Sequence, residues 1–268
     1  GALVAKLTST RCITLITGLG INFLHNRKNL TQLIFKYLFK KCMKYSDLIV
    51  FQNEDDVKDL KKMNLLTNSS NIGLVNGSGV NTDFFSVRPF PTNLNFLMLS
   101  RLLKSKGVIE YIEAAKIIKE KGYEATFTLA GSDDYGPDAV NRKHLIKNYS
   151  QYVEILQPVK DVRKLFRYAS VYVLPSYREG TPRSVLEAMS MGRPIITTDA
   201  PGCRETVIDK HNGLLVEVEN VTSLVSALEE YCKKREIMEI RCMWCKELMC
   251  ISHRFPTDHK CTKQKKKL

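Results

Sequence analysis

No apolar run in this 268-residue sequence reaches the ~18 residues that cross a bilayer, so a transmembrane chain is not expected. The opening Gly1-Ala-Leu-Val has neither the basic segment nor the long apolar stretch of a signal peptide. Internal repeats and low-complexity stretches are missing, apart from a lysine-rich end between Lys260 and Lys267 that reads as solvated. Acidic residues are the minority, 28 against 41 basic, for a net charge of +13. That excess points to an anionic partner, whether a phosphate ligand, anionic lipid or nucleic acid. Nucleic acid is set aside, because there is no recognised motif and no aromatic–basic stacking pattern. The eight cysteines are scattered, which suits reduced thiols in a cytosolic protein rather than a disulfide framework. Cys242-x2-Cys245, with Cys250, His253, His259 and Cys261, offers zinc-type ligands. No second Cys-x2-Cys pair follows, and Met238, Cys242, Cys245 and Met249 are spaced as a helical stripe. The expectation is therefore a helix over 236–249, with no metal.

What is present is an alternation. Hydrophobic residues make up 44% of the chain, enough for a real core. In the second half, strand-like stretches at 94–100, 124–130, 153–156, 171–174, 194–198 and 213–216 alternate with helical ones. The helical patterns lie at 108–121, 138–149, 161–168, 182–191 and 221–234. Such alternation predicts βαβ units and an α/β fold with parallel sheets. The first ~90 residues are less complete. Strands are expected at 12–17, 47–51 and 72–75, a basic amphipathic helix at 29–45, and a helix at 54–63 capped by Asn53. Gly1 to Lys6 reads as the tail of a helix. The polar, proline-bearing stretch at 86–92 suggests a linker. The expected organisation is a partial N-terminal domain (1–85), that linker, a second domain (93–235) and a C-terminal helix with a basic tail (236–268).

The most informative segment is 175–187, Pro-Ser-Tyr-Arg-Glu-Gly-Thr-Pro-Arg-Ser-Val-Leu-Glu. A buried strand ends at Pro175, Thr181 suits an N-cap and Pro182 a first helical position. Glu179 thus falls on a loop at the carboxyl end of a strand, and Glu187 falls in the helix that follows. The N–H groups of Gly180 and Thr181 are expected to be exposed between them. Ligands of α/β sheets bind there, and helix N-termini favour anions. Two acids beside an anion site suit a ligand with both hydroxyls and phosphates, such as a nucleotide sugar.

Glu179-x7-Glu187, with Gly192-Arg-Pro-Ile-Ile-Thr-Thr-Asp and Gly202-Cys-Arg-Glu, resembles the retaining family 4 glycosyltransferases. So do Ser100-Arg-Leu-Leu-Lys-Ser-Lys-Gly107, Ala130-Gly131 and His211-Asn-Gly-Leu-Leu-Val. Gly18-Leu-Gly-Ile-Asn-Phe and Val75-Asn-Gly-Ser-Gly-Val-Asn-Thr-Asp-Phe-Phe85 look like signatures of the bacterial surface-polysaccharide branch, whose enzymes extend undecaprenyl-diphosphate-linked glycans. The resemblance covers roughly residues 1–255.

It implies a GT-B type fold, two Rossmann-like domains facing each other across a cleft, with the donor on the C-terminal domain and the acceptor on the N-terminal one. About the first hundred residues of that pattern are not represented, including a glycine-rich loop and a histidine. The implied activity is transfer of a hexose or N-acetylhexosamine from a UDP-sugar to a lipid-linked glycan, in the cytoplasm at the inner face of the plasma membrane. A non-catalytic nucleotide-sugar-binding remnant is the alternative. By resemblance, Arg101 and Lys106 stabilise the departing diphosphate without a metal. Glu187 accepts hydrogen bonds from the ribose hydroxyls, and Glu179 faces the transferred sugar. Gly131, Gly180, Thr181 and Pro182 supply close backbone, and Gly18 and Gly20 line the acceptor side. Arg183 is in reach of the same site or faces solvent. The pair Asp133-Asp134 reads as a surface turn. The helix at 29–45 suits either an anionic membrane surface or a core with a basic outer face.

Overall fold

The computed structural model describes residues 1–19, 30–66, 71–233, 240–241 and 248–249. Its contacts divide into two units. The smaller holds Gly1–Gly79 together with Arg178–Arg183 and Ala200–Thr206; the larger holds Val80–Tyr177, Ser184–Asp199 and Val207 onward.

The smaller unit begins with α1 (Ala2–Leu7), β1 (Ile13–Ile16), α2 (Leu30–Lys44) and β2 (Leu48–Phe51). It continues with α3 (Glu54–Lys62) and β3 (Ile72–Leu74). The strands pair in parallel in the order β1-β2-β3. Its core gathers Leu19, Met43, Ile49, Phe51, Leu60, Leu65 and Leu66. The Asn53 carboxamide accepts the Asp56 N–H at 2.8 Å, which is the expected cap of α3. Among the described residues β1 pairs only with β2, and its Ile13 and Leu15 are exposed. On α2, Phe39, Cys42 and Met43 turn to the core, while Leu33, Phe35, Tyr37 and Leu38 stay exposed.

The larger unit contains β4 (Asn95–Leu99), α4 (Val108–Glu120), β5 (Thr126–Ala130), α5 (Arg142–Tyr149) and β6 (Glu154–Leu156). Then come α6 (Arg163–Tyr168), β7 (Val171–Leu174), α7 (Arg183–Ser190, in this unit from Ser184), β8 (Ile195–Thr198), β9 (Gly213–Val216) and α8 (Val221–Lys233). Its six strands are all parallel, in the order β6-β5-β4-β7-β8-β9. Counted within the unit this is 3-2-1-4-5-6, the order of dinucleotide-binding sheets. β7 and β8 are buried at every position. That explains why they read as continuous runs rather than alternations, since helices cover both faces of such a sheet. Tyr111 of α4 sends its buried hydroxyl to the carbonyls of Phe96 and Thr128, tying helix to sheet.

The segment 85–90 is strapped to this unit. Ser190 Oγ donates to the Phe85 carbonyl, and the Arg88 N–H donates to the Met191 carbonyl. Buried Arg193 reaches the Pro89 carbonyl and lies over the Phe90 ring.

Three expectations need correction. The helix expected at 138–149 starts only at Arg142, capped by Asn141, because Asp138 is engaged by Ser105 and Lys104 of the loop after β4. The helix expected at 161–168 starts at Arg163, although Asp161 does accept the Arg163 N–H. The helix expected over 236–249 is overturned where that stretch is described. Ile240–Arg241 pair antiparallel with Leu248–Met249. Helical spacing by itself does not exclude a strand, and cysteine, isoleucine and tryptophan are middling helix formers.

Candidate functional site

The larger sheet changes winding direction beside β4. From β4 the chain steps outward to β5 and β6, then returns to place β7 on the other side of β4. Ligands of open α/β sheets bind outside the carboxyl ends of the strands at such a switch point. Arg101 and Lys106 lie on the loop that leaves β4, Gly131 directly follows β5, and Glu187 sits one turn into α7, the helix after β7. Four of the expected residues therefore gather at one edge of one sheet.

Buried and hydrogen-bonded groups fix that edge. The loop after β4 tightens into a 3-10 turn, Lys104–Lys106, ended by Gly107 in the left-handed region at φ 74°. A Cβ on Gly107 would meet the Pro175 carbonyl oxygen at 2.1 Å, so the loop runs tightly over the end of β7. The Tyr177 N–H and Ser176 Oγ both donate to the Ser105 carbonyl, and Asp138 accepts from Ser105 Oγ. Tyr177 OH donates to Glu110, and burial beside that carboxylate pushes its pKa well up. Tyr172 of β7 ties the Leu99 carbonyl to Ser184 Oγ, setting the start of α7 against the end of β4. Sequence reasoning missed Tyr172, Ser184, Ser105 and Asp138, because an isolated hydroxyl or carboxylate carries no spacing signal.

Charged partners surround Arg101 and Gly131. Arg101 Nη1 lies 2.7 Å from Asp134 Oδ2, and its side chain is 60% exposed. Asp133 instead pairs with buried Arg142, which also donates to the Gly131 and Leu156 carbonyls. Each acid of the Asp133-Asp134 pair is thus held by an arginine. A Cβ on Gly131 would fall 1.6 Å from the Ser100 carbonyl oxygen, so glycine is required there by the neighbouring strand end itself.

Residues 178–183 and 200–206 belong to the smaller unit. There the Thr181 N–H is donated to Gln52 Oε1 at 3.0 Å, so it is not open to an anion as expected. The Glu179 N–H is donated to the Pro201 carbonyl. Asn53 Nδ2 donates to the carbonyls of Gly180 and Glu179. Arg178 grips Asp56, a fully buried carboxylate, through Nε and Nη2, and reaches Asp59 at 2.7 Å. Pro182 precedes the first residue of α7 by one position. Gly18, at φ 138°, lies against the Gly180 peptide nitrogen. Gly20 lies outside the described residues, as do Cys242, Cys245, Cys250, His253, His259 and Cys261. Among the described residues no group of three acids, histidines or cysteines could hold a metal.

Residues 80–242 match the family model Glycosyl transferases group 1. The chain belongs to that family. A second model, AN1-like zinc finger, matches residues 228–266. Among curated proteins, this glycosyltransferase-family chain is 31% identical over 226 residues to a Campylobacter jejuni enzyme, N,N'-diacetylbacillosaminyl-diphospho-undecaprenol alpha-1,3-N-acetylgalactosaminyltransferase, covering 78% of this chain and 58% of that one. It is 26% identical over 245 residues to an Escherichia coli UDP-Gal:alpha-D-GlcNAc-diphosphoundecaprenol alpha-1,3-galactosyltransferase, covering 85% and 62%. Among solved structures, sucrose-phosphate synthase from Thermosynechococcus elongatus superposes with a TM-score of 0.69 at 20% identity, over 87% of this chain and 62% of that one. Anabaena HepE, in complex with UDP and glucose, gives 0.68 at 16% identity, over 88% and 65%. The chain therefore spans about three fifths of the length of these relatives, and shares the α/β fold of the solved glycosyltransferases.

Proposed function

We propose that the protein moves a hexose or N-acetylhexosamine from a UDP-sugar to an undecaprenyl-diphosphate-linked glycan in polysaccharide biosynthesis, with retention at the anomeric centre. The observation that carries this reading is the set Arg101, Lys106, Gly131 and Glu187 at the switch point of a 3-2-1-4-5-6 sheet. Residues 93–235 act as the donor domain. In the transfer, the bond between the anomeric carbon and the diphosphate oxygen breaks, and its electron pair leaves with UDP. The acceptor hydroxyl oxygen bonds to that carbon and passes its proton to the departing diphosphate oxygen. Arg101 and Lys106 balance the charge that develops on the diphosphate. Glu187 holds the ribose hydroxyls and Glu179 steadies the positive charge growing on the sugar. Exposed apolar residues of α2, Leu33, Phe35, Tyr37 and Leu38, lie among Lys36, Lys40, Lys41 and Lys44. They suit the anionic inner membrane surface that presents a lipid-linked acceptor. A thermal-shift panel tests the donor reading: UDP should raise the melting temperature by linkage more than ADP, GDP or CMP. A folded sample unmoved by all four would refute it.

We also propose that the C-terminal segment binds zinc, in place of the metal-free expectation. The match to a zinc-finger model and the overturned helix both favour this. The donor set fits. In the sequence, Cys242 and Cys245 come between β10 (Ile240–Arg241) and β11 (Leu248–Met249), and Cys250 comes after β11. With His253, His259 and Cys261 they supply the thiolates and imidazoles that zinc takes in fours. Cys232 fits less well, since it packs on the core from α8 and burial raises its thiol pKa to about 11. Bound zinc would supply folding energy to the segment. Elemental analysis should find about one zinc or more per chain, lost on Cys242→Ser with Cys245→Ser. A zinc-free native protein would refute this.

A further inference from the structure

The segment between β2 and α3 reads Gln52-Asn53-Glu54-Asp55-Asp56, and the sequence shows in it only a helix cap. In the structure Gln52, Asn53 and Asp56 are buried polar groups, Asp56 fully so. Their bonds converge on one stretch of main chain. Gln52 Oε1 takes the Thr181 N–H at 3.0 Å. Asn53 Nδ2 gives to the Gly180 carbonyl at 3.3 Å and the Glu179 carbonyl at 3.4 Å, while its Oδ1 caps α3. Asp56 accepts both Nε and Nη2 of Arg178, the residue before Glu179. Behind the stretch, the Pro201 carbonyl takes the Glu179 N–H, and Arg204 Nη1 pairs with Asp55 at 2.7 Å. The backbone around the stretch is closely packed. A Cβ on Gly180 would fall 1.8 Å from the Thr17 carbonyl oxygen, and one on Gly202 would fall 2.1 Å from the Glu179 carbonyl oxygen.

These contacts restrain the backbone on either side of Glu179. A buried ion pair is a poor device for stability alone, because desolvation offsets most of its attraction. It is an effective device for fixing geometry, and a group that acts on a reacting centre needs placement within about half an ångström. We propose that Gln52, Asn53 and Asp56 are positioning residues for Glu179, setting how the protein engages the sugar of a UDP-sugar while leaving its hold on UDP unchanged. The proposal rests on the reading of Glu179 given above.

Two measurements test it. Hydrogen exchange reads the clamp directly. Gln52→Ala and Asp56→Asn should speed exchange of the Glu179 and Thr181 amides by about tenfold, with protection elsewhere unchanged; unaltered exchange at both amides overturns the proposal. Calorimetry with UDP and UDP-N-acetylgalactosamine reads the consequence. Glu179→Ala should weaken the UDP-sugar by about fivefold or more and UDP by less than about twofold. Gln52→Ala, Asp56→Asn and Arg178→Ala should show the same split, and Arg178→Lys, which keeps the charge opposite Asp56, should show a smaller one than Arg178→Ala. Equal weakening of both ligands by Gln52→Ala would mean general damage and would overturn the idea. If Glu179→Ala moves the ratio and Gln52→Ala does not, the positioning role alone has failed. If Glu179→Ala leaves the ratio unchanged, the reading of Glu179 has failed and the positioning role falls with it. Gln52→Ala removes no charge, so it remains informative where Asp56→Asn does not fold.

Discussion

Arg101 already has an anionic partner in the structure, Asp134 at 2.7 Å. A diphosphate must compete with that carboxylate for the guanidinium. The pair is exposed on the arginine side, so it is worth at most ~1 kcal/mol. Asp134→Asn should therefore tighten UDP by about twofold to fivefold, and leave uridine unchanged in the same titration. Arg101→Ala and Lys106→Ala should each weaken UDP by about tenfold, since charge-assisted hydrogen bonds contribute ~1.5–3 kcal/mol, with uridine again little affected. Glu187→Ala should weaken both ligands, because it acts on the ribose. Equal effects of all three substitutions on uridine would contradict these roles. A further test at this scale concerns Cys232. With burial raising its thiol pKa to about 11, only about a thousandth is thiolate at pH 8. It should resist iodoacetamide in the folded protein and react once the chain is unfolded in denaturant.

The elements are held by close approaches between strand ends and loops. Gly131 shows this best. Its Cβ would fall 1.6 Å from a main-chain oxygen, which no side-chain rotation relieves. Gly131→Ala should destabilise the protein by about 3 kcal/mol or more, measured by urea unfolding. Gly73 within β3 has only ordinary contact with Val50 and Leu48, and Gly73→Ala should change stability by less than about 1 kcal/mol. If the two substitutions cost the same, the strand-end packing described here is wrong. Element type was largely legible in the sequence, because β7 is a continuous apolar run and α8 repeats its apolar residues at helical spacing. Element starts were less so. Asp138 lies within a helix-like pattern, yet its carboxylate and carbonyl are engaged by residues 104 and 105 of the loop after β4, and the helix waits for Asn141. The tail misled for a related reason: a spacing of four, three and four fits a helix, but strand pairing depends on a partner that spacing does not reveal.

At the scale of the whole molecule, the net charge of +13 and the exposed apolar residues of α2 predict binding to anionic vesicles. Replacing Lys40, Lys41 and Lys44 by glutamine should weaken binding to phosphatidylglycerol vesicles by about a hundredfold, at ~1 kcal/mol per lysine near the surface. Neutral vesicles should bind weakly in either case; equal binding to both vesicle types would remove the electrostatic part of the reading. The sequence by itself determined the α/β class, the parallel sheets, the family and the position of Glu179 and Glu187 around one strand-to-helix turn. Those features are local, since periodicity, caps and short motifs act over a few residues. Only the tertiary structure decided the strand order, which puts β7 beside β4 and so gathers Arg101, Lys106, Gly131 and Glu187 at one edge. It alone also joined Gln52, Asn53 and Asp56 to a loop more than a hundred residues away, because a buried amide or carboxylate finds its partner through folding and not through spacing along the chain.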